Sequence, residues 1–276
     1  MRQMHYEVIG CDATKLLMET ENFSATVPGL IFTDPPYCTD KVQAREGGSS
    51  YYDTASPEEI CHTIGKVADH WMGSKTTLAV ICDYRLAFHL CHYLTELKDL
   101  YLRGEIIWEF GLGKPRESWW PNRHNHILTF TTSENGGIFD KGAIPRTKRI
   151  ADSKGYPDDK PMGSVWDYTF SNSHPERVKY PNQKPSTLLM PFILAHTNPD
   201  DLVIDPFCGS GSTGVTALKA GRKFLGSDTN PEAVEIANER LKTTFWGNWP
   251  KERTSNETSS THTSAEVEEG STSDNP

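Results

Sequence analysis

The segment covering residues 202–228 limits most strongly how this chain can fold. Its apolar start is followed by Asp205, by a turn with glycines at positions 209, 211 and 214, and by a helical stretch before a second apolar run that ends near Asp228. This pattern predicts a strand, a glycine-rich turn, a helix and a second strand that ends in an acid. Such a unit makes up half of a doubly wound α/β sheet. Glycines let the backbone approach a ligand, the helix start presents N–H groups, and the acid suits ribose hydroxyls. The segment therefore predicts a nucleoside-cofactor site rather than a plain tight turn.

A second motif, Asp34-Pro35-Pro36-Tyr37, follows the short apolar run 30–33 near the start of the chain. Consecutive prolines have a fixed φ and no backbone N–H, so the carbonyl groups here can accept hydrogen bonds from a ligand. Asp34 adds a carboxylate acceptor and Tyr37 adds a stacking face. This combination suits the exocyclic amino group of a nucleobase, and a surface turn after a strand is the alternative.

Alternating apolar runs and helical stretches predict an α/β fold with a mostly parallel sheet that is covered on both faces. Strands are predicted near residues 5–10, 28–33, 77–82, 101–110, 126–131, 202–205 and 223–227. Helices are predicted at 12–20, 57–72, 85–97, 185–197, 212–220 and 231–243. Ser56 and Asn230 stand directly before proline and acidic residues, which is typical of helix starts.

The formal charge of −9 at first argues against a polyanionic partner, but the charge is unevenly distributed. Residues 251–276 carry two basic and six acidic side chains in a Ser/Thr/Glu-rich tract, which predicts a disordered tail. Residues 111–184 carry twelve Lys and Arg against eight Asp and Glu. A locally basic surface of this kind is enough for contact with DNA.

The ends and the cysteines predict an intracellular protein without structural metal. Neither end has the apolar region of a secretory signal, and no apolar run approaches the ~18 residues of a membrane span. The six cysteines form no Cys-x-x-Cys pair, so we expect reduced thiols, no disulfides and no structural zinc. His89 and His92 share a helix face near Cys91 but lack a third ligand at suitable spacing, which favours ordinary histidines.

Taken together, the motifs resemble the amino-group DNA methyltransferases that use S-adenosylmethionine. The resemblance rests on the Asp34-Pro35-Pro36-Tyr37 motif, on Gln183-Lys184-Pro185 ahead of a helix, on residues 205–214 and 226–230, and more faintly on Gly10-Cys11-Asp12. The order, with the Pro-Pro motif first and the glycine-rich turn last, resembles the beta-type arrangement of this family. Residues 5–37 and 160–245 match the family well, whereas residues 111–160 match it loosely.

The resemblance implies a Rossmann-like methyltransferase domain with an inserted target-recognition region. The expected parts are a catalytic half at 1–110, the insertion at 111–180, a cofactor-binding half at 181–247 and a disordered acidic tail at 248–276. The implied catalytic residues are Asp34, Pro35, Pro36 and Tyr37. The implied cofactor-binding residues are Asp12, Lys184, Pro185, Asp205, Phe207, Gly209, Ser210, Gly211, Thr213 and Asp228. Asp12 could equally be a helix N-cap, and Phe207 a core residue.

Two further segments are candidates for contact with the substrate or the cofactor. Lys114, Arg116 and Arg123 lie in a stretch where basic and aromatic residues alternate, and we expect them to contact nucleic acid. Trp119 and Trp120 in the same stretch are expected to be buried anchors. Residues 38–56 are rich in Gly, Ser and charge and could close over the base or the cofactor, or form a surface loop without a role.

The resulting expectation is a site-specific DNA methyltransferase that acts on the N6 amino group of adenine after the base has been flipped out of the duplex. Cytosine-N4 methylation is the alternative, because both enzyme types use such a turn. An RNA or protein-glutamine methyltransferase and a DNA-binding module without turnover are more distant alternatives. The expected partner is double-stranded DNA, with a cognate restriction nuclease as an optional second partner. The protein is expected to be a monomer or homodimer in the cytoplasm, bacterial or phage-encoded.

Overall fold

A central sheet of eight strands organises the part of the chain that the computed structural model describes, namely residues 5–16, 20, 23, 26–37, 55–110, 120–148, 159–168, 170 and 173–247. Its strands are β1 (Tyr6–Ile9), β2 (Leu30–Thr33), β3 (Thr77–Cys82), β4 (Tyr101–Glu109), β5 (His124–Thr131), β8 (Val165–Asp167), β9 (Leu202–Asp205) and β10 (Lys223–Ser227). A separate hairpin pairs β6 (Arg146–Lys148) with β7 (Asp159–Pro161).

Within the described residues, five longer helices accompany these strands. They are α1 (Pro57–Trp71), α2 (Tyr84–His92), α3 (Ser186–His196), α4 (Ser212–Lys219) and α5 (Pro231–Lys242). A π-helical turn, Tyr93–Leu97, continues α2, and a 3-10 turn covers Lys141–Ala143. The predicted caps are present, since the Ser56 hydroxyl accepts from the Glu59 N–H and the Asn230 side chain from the Glu232 N–H.

The strand order is β1-β10-β9-β2-β3-β5-β4-β8, and β5 is antiparallel to both of its neighbours while the other pairs are parallel. The expected mostly parallel α/β sheet is therefore confirmed. β9 lies next to β2, and the chain leaves these two strands in opposite directions, toward β10 on one side and β3 on the other. Ligands of such sheets bind at this switch point, outside the carboxyl ends of the strands.

Helices cover both faces of the sheet. On one face, Ile64 of α1 and Leu90 of α2 belong to a buried cluster with Ile31 of β2. On the other face, Leu188 of α3 belongs to a second buried cluster with Phe32. Neighbouring residues of β2 thus point into opposite cores, which explains why this strand is buried throughout.

The region predicted as an insertion, 111–180, contributes two strands to the main sheet. β5 lies between β3 and β4, and β8 forms the outer edge beside β4. The predicted strand 126–131 is therefore a sheet member that begins two residues earlier. Strands β6, β7 and β8 were not predicted, because three-residue strands are too short to show an alternating pattern.

Several predictions fall wholly or partly outside the described residues: positions 17–19 of the helix at 12–20, the segment 38–54, Lys114, Arg116 and Trp119, and the tail 248–276. None of the helices in the described part of the chain combines the length and apolarity needed to cross a membrane. Within the same residues, no three His, Cys, Asp or Glu side chains are grouped so that they could hold a metal ion.

Candidate active site

The two predicted motifs line one cavity of about 840 Å³, here called the cleft. The first motif, residues 34–37, follows β2 and is called the Pro-Pro turn; the second, residues 205–214, follows β9 and is called the glycine loop. Since β2 and β9 are adjacent and parallel, with Ile31 opposite Ile204, both loops start at the same edge of the sheet. The predicted site residues that line the cleft are Asp34, Pro35, Pro36, Tyr37, Lys184, Asp205, Phe207, Gly209, Ser210 and Thr213.

Asp205 joins the glycine loop to the end of β2, directly before the Pro-Pro turn, through its carboxylate. It is the last residue of β9 and is 3% exposed. Its Oδ1 accepts from the Thr33 hydroxyl at 3.0 Å and from the Phe207 N–H at 3.1 Å, and its Oδ2 accepts from the Thr213 hydroxyl at 2.7 Å. Burial raises the pKa of Asp205 to about 7, although these donors act in the opposite direction. The sequence did not single out Thr33, which ties the end of β2 to this carboxylate.

Asp34 is held at both carboxylate oxygens. The Tyr37 hydroxyl donates to its Oδ1 at 2.5 Å, and the Lys184 ammonium contacts its Oδ2. The Lys184 and Asp34 side chains are 13% and 21% exposed, so the ion pair is partly shielded from solvent. The sequence predicts that Lys184 binds the cofactor. In the structure, its ammonium contacts the Asp34 carboxylate of the Pro-Pro turn.

Tyr37 also contacts a residue that the sequence did not indicate. Asn125, at the start of β5, donates from its Nδ2 to the Tyr37 hydroxyl oxygen at 3.1 Å. Burial raises the pKa of Tyr37 well above its ordinary value, and the neighbouring Asp34 carboxylate adds to this effect. The Tyr37 hydroxyl therefore stays protonated and can donate a hydrogen bond to the Asp34 carboxylate. Trp108 and Phe110 of the neighbouring strand region line the cleft on the same side and give it an aromatic wall.

The glycine loop has the form of a ligand cradle. Gly209 and Gly211 have φ angles of 50° and 76°, which side-chain-bearing residues rarely adopt, and Gly211 caps the start of α4. A Cβ at Gly209 would lie 3.4 Å from the Tyr180 ring, so glycine keeps the space between loop and ring open. The Asp228 carboxylate accepts from the Gly209 and Asn230 N–H groups, both at 2.9 Å, and burial raises its pKa. An acid fixed against the loop backbone fits the ribose of a nucleoside cofactor.

A segment before α3 delivers Lys184 to the cleft. Gln183, which is 6% exposed, accepts from the Val178 N–H at 2.9 Å and donates to the Glu176 carbonyl at 2.6 Å. The Glu176 carboxylate accepts from the N–H and the hydroxyl of Ser186, the first residue of α3. These hydrogen bonds join residues 176–178 to Gln183 and Ser186, on either side of Lys184. Gln183 therefore helps to hold the backbone that carries Lys184.

The remaining predicted residues that the structure describes, including Asp228, lie outside the described lining of the cleft. Asp12 is not among the described residues lining the cleft, and its carboxylate accepts from the N–H and the hydroxyl of Thr14. Pro185 is buried as the residue before α3, and Gly211 faces α5. Arg123 is exposed beside β5. The expectation that Trp120 is a buried anchor is wrong, because its side chain is 80% exposed.

Comparisons with known proteins agree with this geometry. A family model described as DNA methylase, of the N6 and N4 type, matches residues 29–239. The DNA adenine methyltransferase YhdJ of Escherichia coli (strain K12) is 42% identical over 251 residues, which cover 82% of this chain and 80% of that protein.

Two solved structures share the fold. The M1.HpyAVI-SAM complex superposes with a TM-score of 0.62 at 23% identity and covers 86% of this chain and 98% of that chain. The PvuII DNA methyltransferase, described as cytosine-N4-specific, superposes with a TM-score of 0.64 at 18% identity and covers 87% of both chains. The chain therefore belongs to the DNA methylase family, whose members are DNA methyltransferases that use S-adenosylmethionine.

Proposed function

We propose that this protein transfers a methyl group from S-adenosylmethionine to the N6 amino group of adenine in double-stranded DNA. The observation that carries the proposal is the shared cleft, in which the Asp34 carboxylate and the glycine loop face one another across the switch point of the sheet. An acceptor for an amino group and a cradle for a nucleoside cofactor are the two parts that this reaction needs. The 42% identity to an adenine methyltransferase supports adenine as the base.

The protein's part in the reaction is mainly alignment. S-adenosylmethionine supplies an electrophilic methyl group on a sulfonium, so no strong base is required to activate the attacking nitrogen. The Asp34 carboxylate and the Pro35 carbonyl each accept a hydrogen bond from one N–H of the amino group. These two bonds direct the nitrogen lone pair toward the methyl carbon. Proton loss follows methyl transfer, since methylation makes the nitrogen far more acidic.

The glycine loop and Asp228 hold the cofactor in this proposal. Backbone N–H groups at the start of α4 lie in the loop, and the Asp228 carboxylate lies against the Gly209 N–H. Asp205, which bonds to the Thr33 hydroxyl at the end of β2 and to two groups of the glycine loop, keeps the base side and the cofactor side in register. Lys184 balances the charge of Asp34 from the segment that precedes α3.

The amino group of a stacked, paired adenine cannot reach a cleft inside the protein, so we propose that the base is flipped out. The Tyr37 ring and the aromatic wall of Trp108 and Phe110 would stack against the extruded base. Stacking of this kind contributes ~1 to 3 kcal/mol per base and offsets part of the cost of unstacking.

Further parts of the proposal come from the sequence. We propose that residues 111–180 contain the target-recognition region and that Lys114, Arg116 and Arg123 contact DNA. The exposed positions of Arg123 and Trp120 support contact with a ligand outside the protein. A cytoplasmic location, a partner nuclease and a monomeric or dimeric state stay predictions.

Incubation with radiolabelled S-adenosylmethionine and unmethylated duplex DNA, followed by digestion to nucleosides, tests the proposed function. We expect the label in N6-methyldeoxyadenosine. Label in N4-methyldeoxycytidine would replace adenine by cytosine as the target, and label in RNA or protein alone would remove DNA as the substrate. The Asp34→Ala protein, purified from the same host, controls for contaminating host methylases.

A further inference from the structure

Asn125 occupies a position in the cleft that neither motif covers. It is the second residue of β5 and lies opposite Trp108 of β4 in the sheet register. Its side chain is buried, with 8% exposed, and it lines the cleft together with Asp34 and Tyr37. A buried polar side chain needs a hydrogen-bond partner, and the described partner of Asn125 is the Tyr37 hydroxyl.

The hydrogen bonds run in one direction from β5 to Asp34. The Asn125 amide donates to the Tyr37 oxygen at 3.1 Å, and the Tyr37 hydroxyl donates its single proton to Asp34 Oδ1 at 2.5 Å. A phenol hydroxyl has one proton, and in Tyr37 this proton is donated to Asp34. The Tyr37 oxygen can therefore only accept from the Asn125 amide. The phenol is thereby fixed at its polar end, and so is the plane of its ring.

The Asp34 carboxylate is oriented in this way without losing its capacity to accept. A carboxylate has about four lone-pair positions, of which Tyr37 occupies one on Oδ1 and Lys184 one on Oδ2. With respect to the described residues, one position on each oxygen is left for an N–H of the target amino group. The carboxylate is therefore held from two distant parts of the chain, β5 acting through Tyr37 and the segment before α3 acting through Lys184.

We propose that Asn125 is a positioning residue for methyl transfer, which by fixing the Tyr37 hydroxyl orients both the stacking ring and the Asp34 carboxylate toward the amino group of the base. The inference rests on the function proposed above and adds a residue that acts through Tyr37. Asn125 itself does not touch the reacting atoms.

A double-mutant cycle between Asn125 and Tyr37 tests this role. In the Asn125→Leu protein, which keeps a similar side-chain volume without the amide, we expect kcat/KM for methylation of duplex DNA to fall by about 10-fold, the scale of one lost hydrogen bond and a misoriented carboxylate. In the Tyr37→Phe protein, which keeps the ring but lacks the hydroxyl, the same Asn125 substitution should change kcat/KM by less than about 2-fold, because the two effects share one hydrogen bond.

Two more variants separate positioning from a general loss of structure. Asn238→Leu removes a similar bond, from the Asn238 amide to the Val234 carbonyl in α5, at a residue outside the described lining of the cleft, and should leave kcat/KM unchanged. Asn125→Asp keeps the shape but lacks the N–H, and its carboxylate would draw the phenol proton away from Asp34. We expect a loss of kcat/KM at least as large as that of Asn125→Leu.

Equal losses from Asn125→Leu with and without the Tyr37 hydroxyl, or no loss with either, would overturn the positioning role. Wild-type protein that transfers no methyl group to DNA would overturn the proposed function and this inference with it. The wild-type rate, measured first, distinguishes the two failures.

Discussion

At the scale of single residues, the proposed methyl transfer depends on Asp34. Its carboxylate accepts from Tyr37 and Lys184, so it is oriented before any substrate binds. For methyl transfer to an amino group, an acceptor that is oriented in advance contributes more than a strong base, because the methyl donor is already a strong electrophile.

The Asp34→Ala substitution should therefore lower the single-turnover rate by a factor of about 100 or more, the scale of a lost transition-state acceptor. Cofactor affinity, measured by calorimetry with S-adenosylhomocysteine, should change little, because the glycine loop and Asp228 keep their contacts. Asp69→Ala, which breaks the ion pair with Lys98 outside the cleft, is the matched control and should change neither quantity. A parallel fall of affinity and rate after Asp34→Ala would contradict the role given to this carboxylate.

Asp205 should make stability depend on pH in an unusual direction. Its pKa of about 7 in the folded protein lies above the ordinary value of 3.8, so between these values the folded state holds a proton that the unfolded state has lost. The free energy of unfolding should therefore fall as the pH rises from about 4 to about 7. The stabilising protonated form is lost as the pH passes the folded pKa.

Denaturant unfolding of the wild-type and Asp205→Asn proteins at several pH values measures this contribution. Because the variant cannot titrate at this position, the difference between the two free energies of unfolding should decline across the window, by at most about 1.4 kcal/mol per pH unit. Other titrating groups are common to both proteins and cancel. Parallel profiles would show that Asp205 ionises normally in the folded state.

At the scale of elements, the glycine loop depends on how closely α4 and α5 approach. Gly211 starts α4 with a φ of 76°, and a Cβ there would lie 2.9 Å from the Ala237 Cβ and 3.1 Å from its Cα in α5. The helices therefore leave no room for a side chain at this position. The same contact fixes the position of the glycine loop relative to α5.

Gly211→Ala should lower the free energy of unfolding by about 1 to 3 kcal/mol, because it adds a strained backbone conformation and a contact with the backbone of α5. Cofactor affinity should fall as well, since relief of the contact moves the loop. Gly163→Ala is the control, since a Cβ there has nothing within 4 Å. Equal stability of the Gly211→Ala and Gly163→Ala proteins in urea would refute the packing argument.

At the scale of the whole molecule, charge sets the conditions for DNA binding. The chain carries a formal charge of −9, of which residues 251–276 supply six acidic and two basic side chains. An acidic tract repels phosphate over distances of about 10 Å at moderate ionic strength. The more basic stretch, 111–184, must attract the duplex against this background.

Removal of residues 251–276 should tighten duplex binding by roughly 3-fold or more at low salt, and the gain should disappear near 0.5 M salt, about where screening is strong. Fluorescence anisotropy with a labelled duplex across a salt series measures both effects. A variant in which the six acids of this tract are replaced by Gln or Asn tests whether charge is the cause. A gain that persists at high salt would point to another cause.

Local features of the sequence were sufficient for most elements. The predicted strand 77–82 has the bounds of β3, and the predicted strands at 202–205 and 223–227 have those of β9 and β10. Ser56 and Asn230 mark helix starts because capping depends on neighbours within a few residues. The resemblance to the methyltransferase family also came from short motifs and their order along the chain, and the comparisons confirm it.

The sequence by itself thus determined the elements, the motifs and the family, since each of these depends on residues close together in the chain or on their order. Tertiary structure alone decided which groups meet. Thr33 and Asp205 are separated by 172 positions, Asp34 and Lys184 by 150, and Tyr37 and Asn125 by 88. The place of β5 within the sheet and the exposure of Trp120 likewise follow from long-range packing. Such contacts, and the raised pKa of the buried Asp205, exist only after the sheet has brought distant segments to one edge.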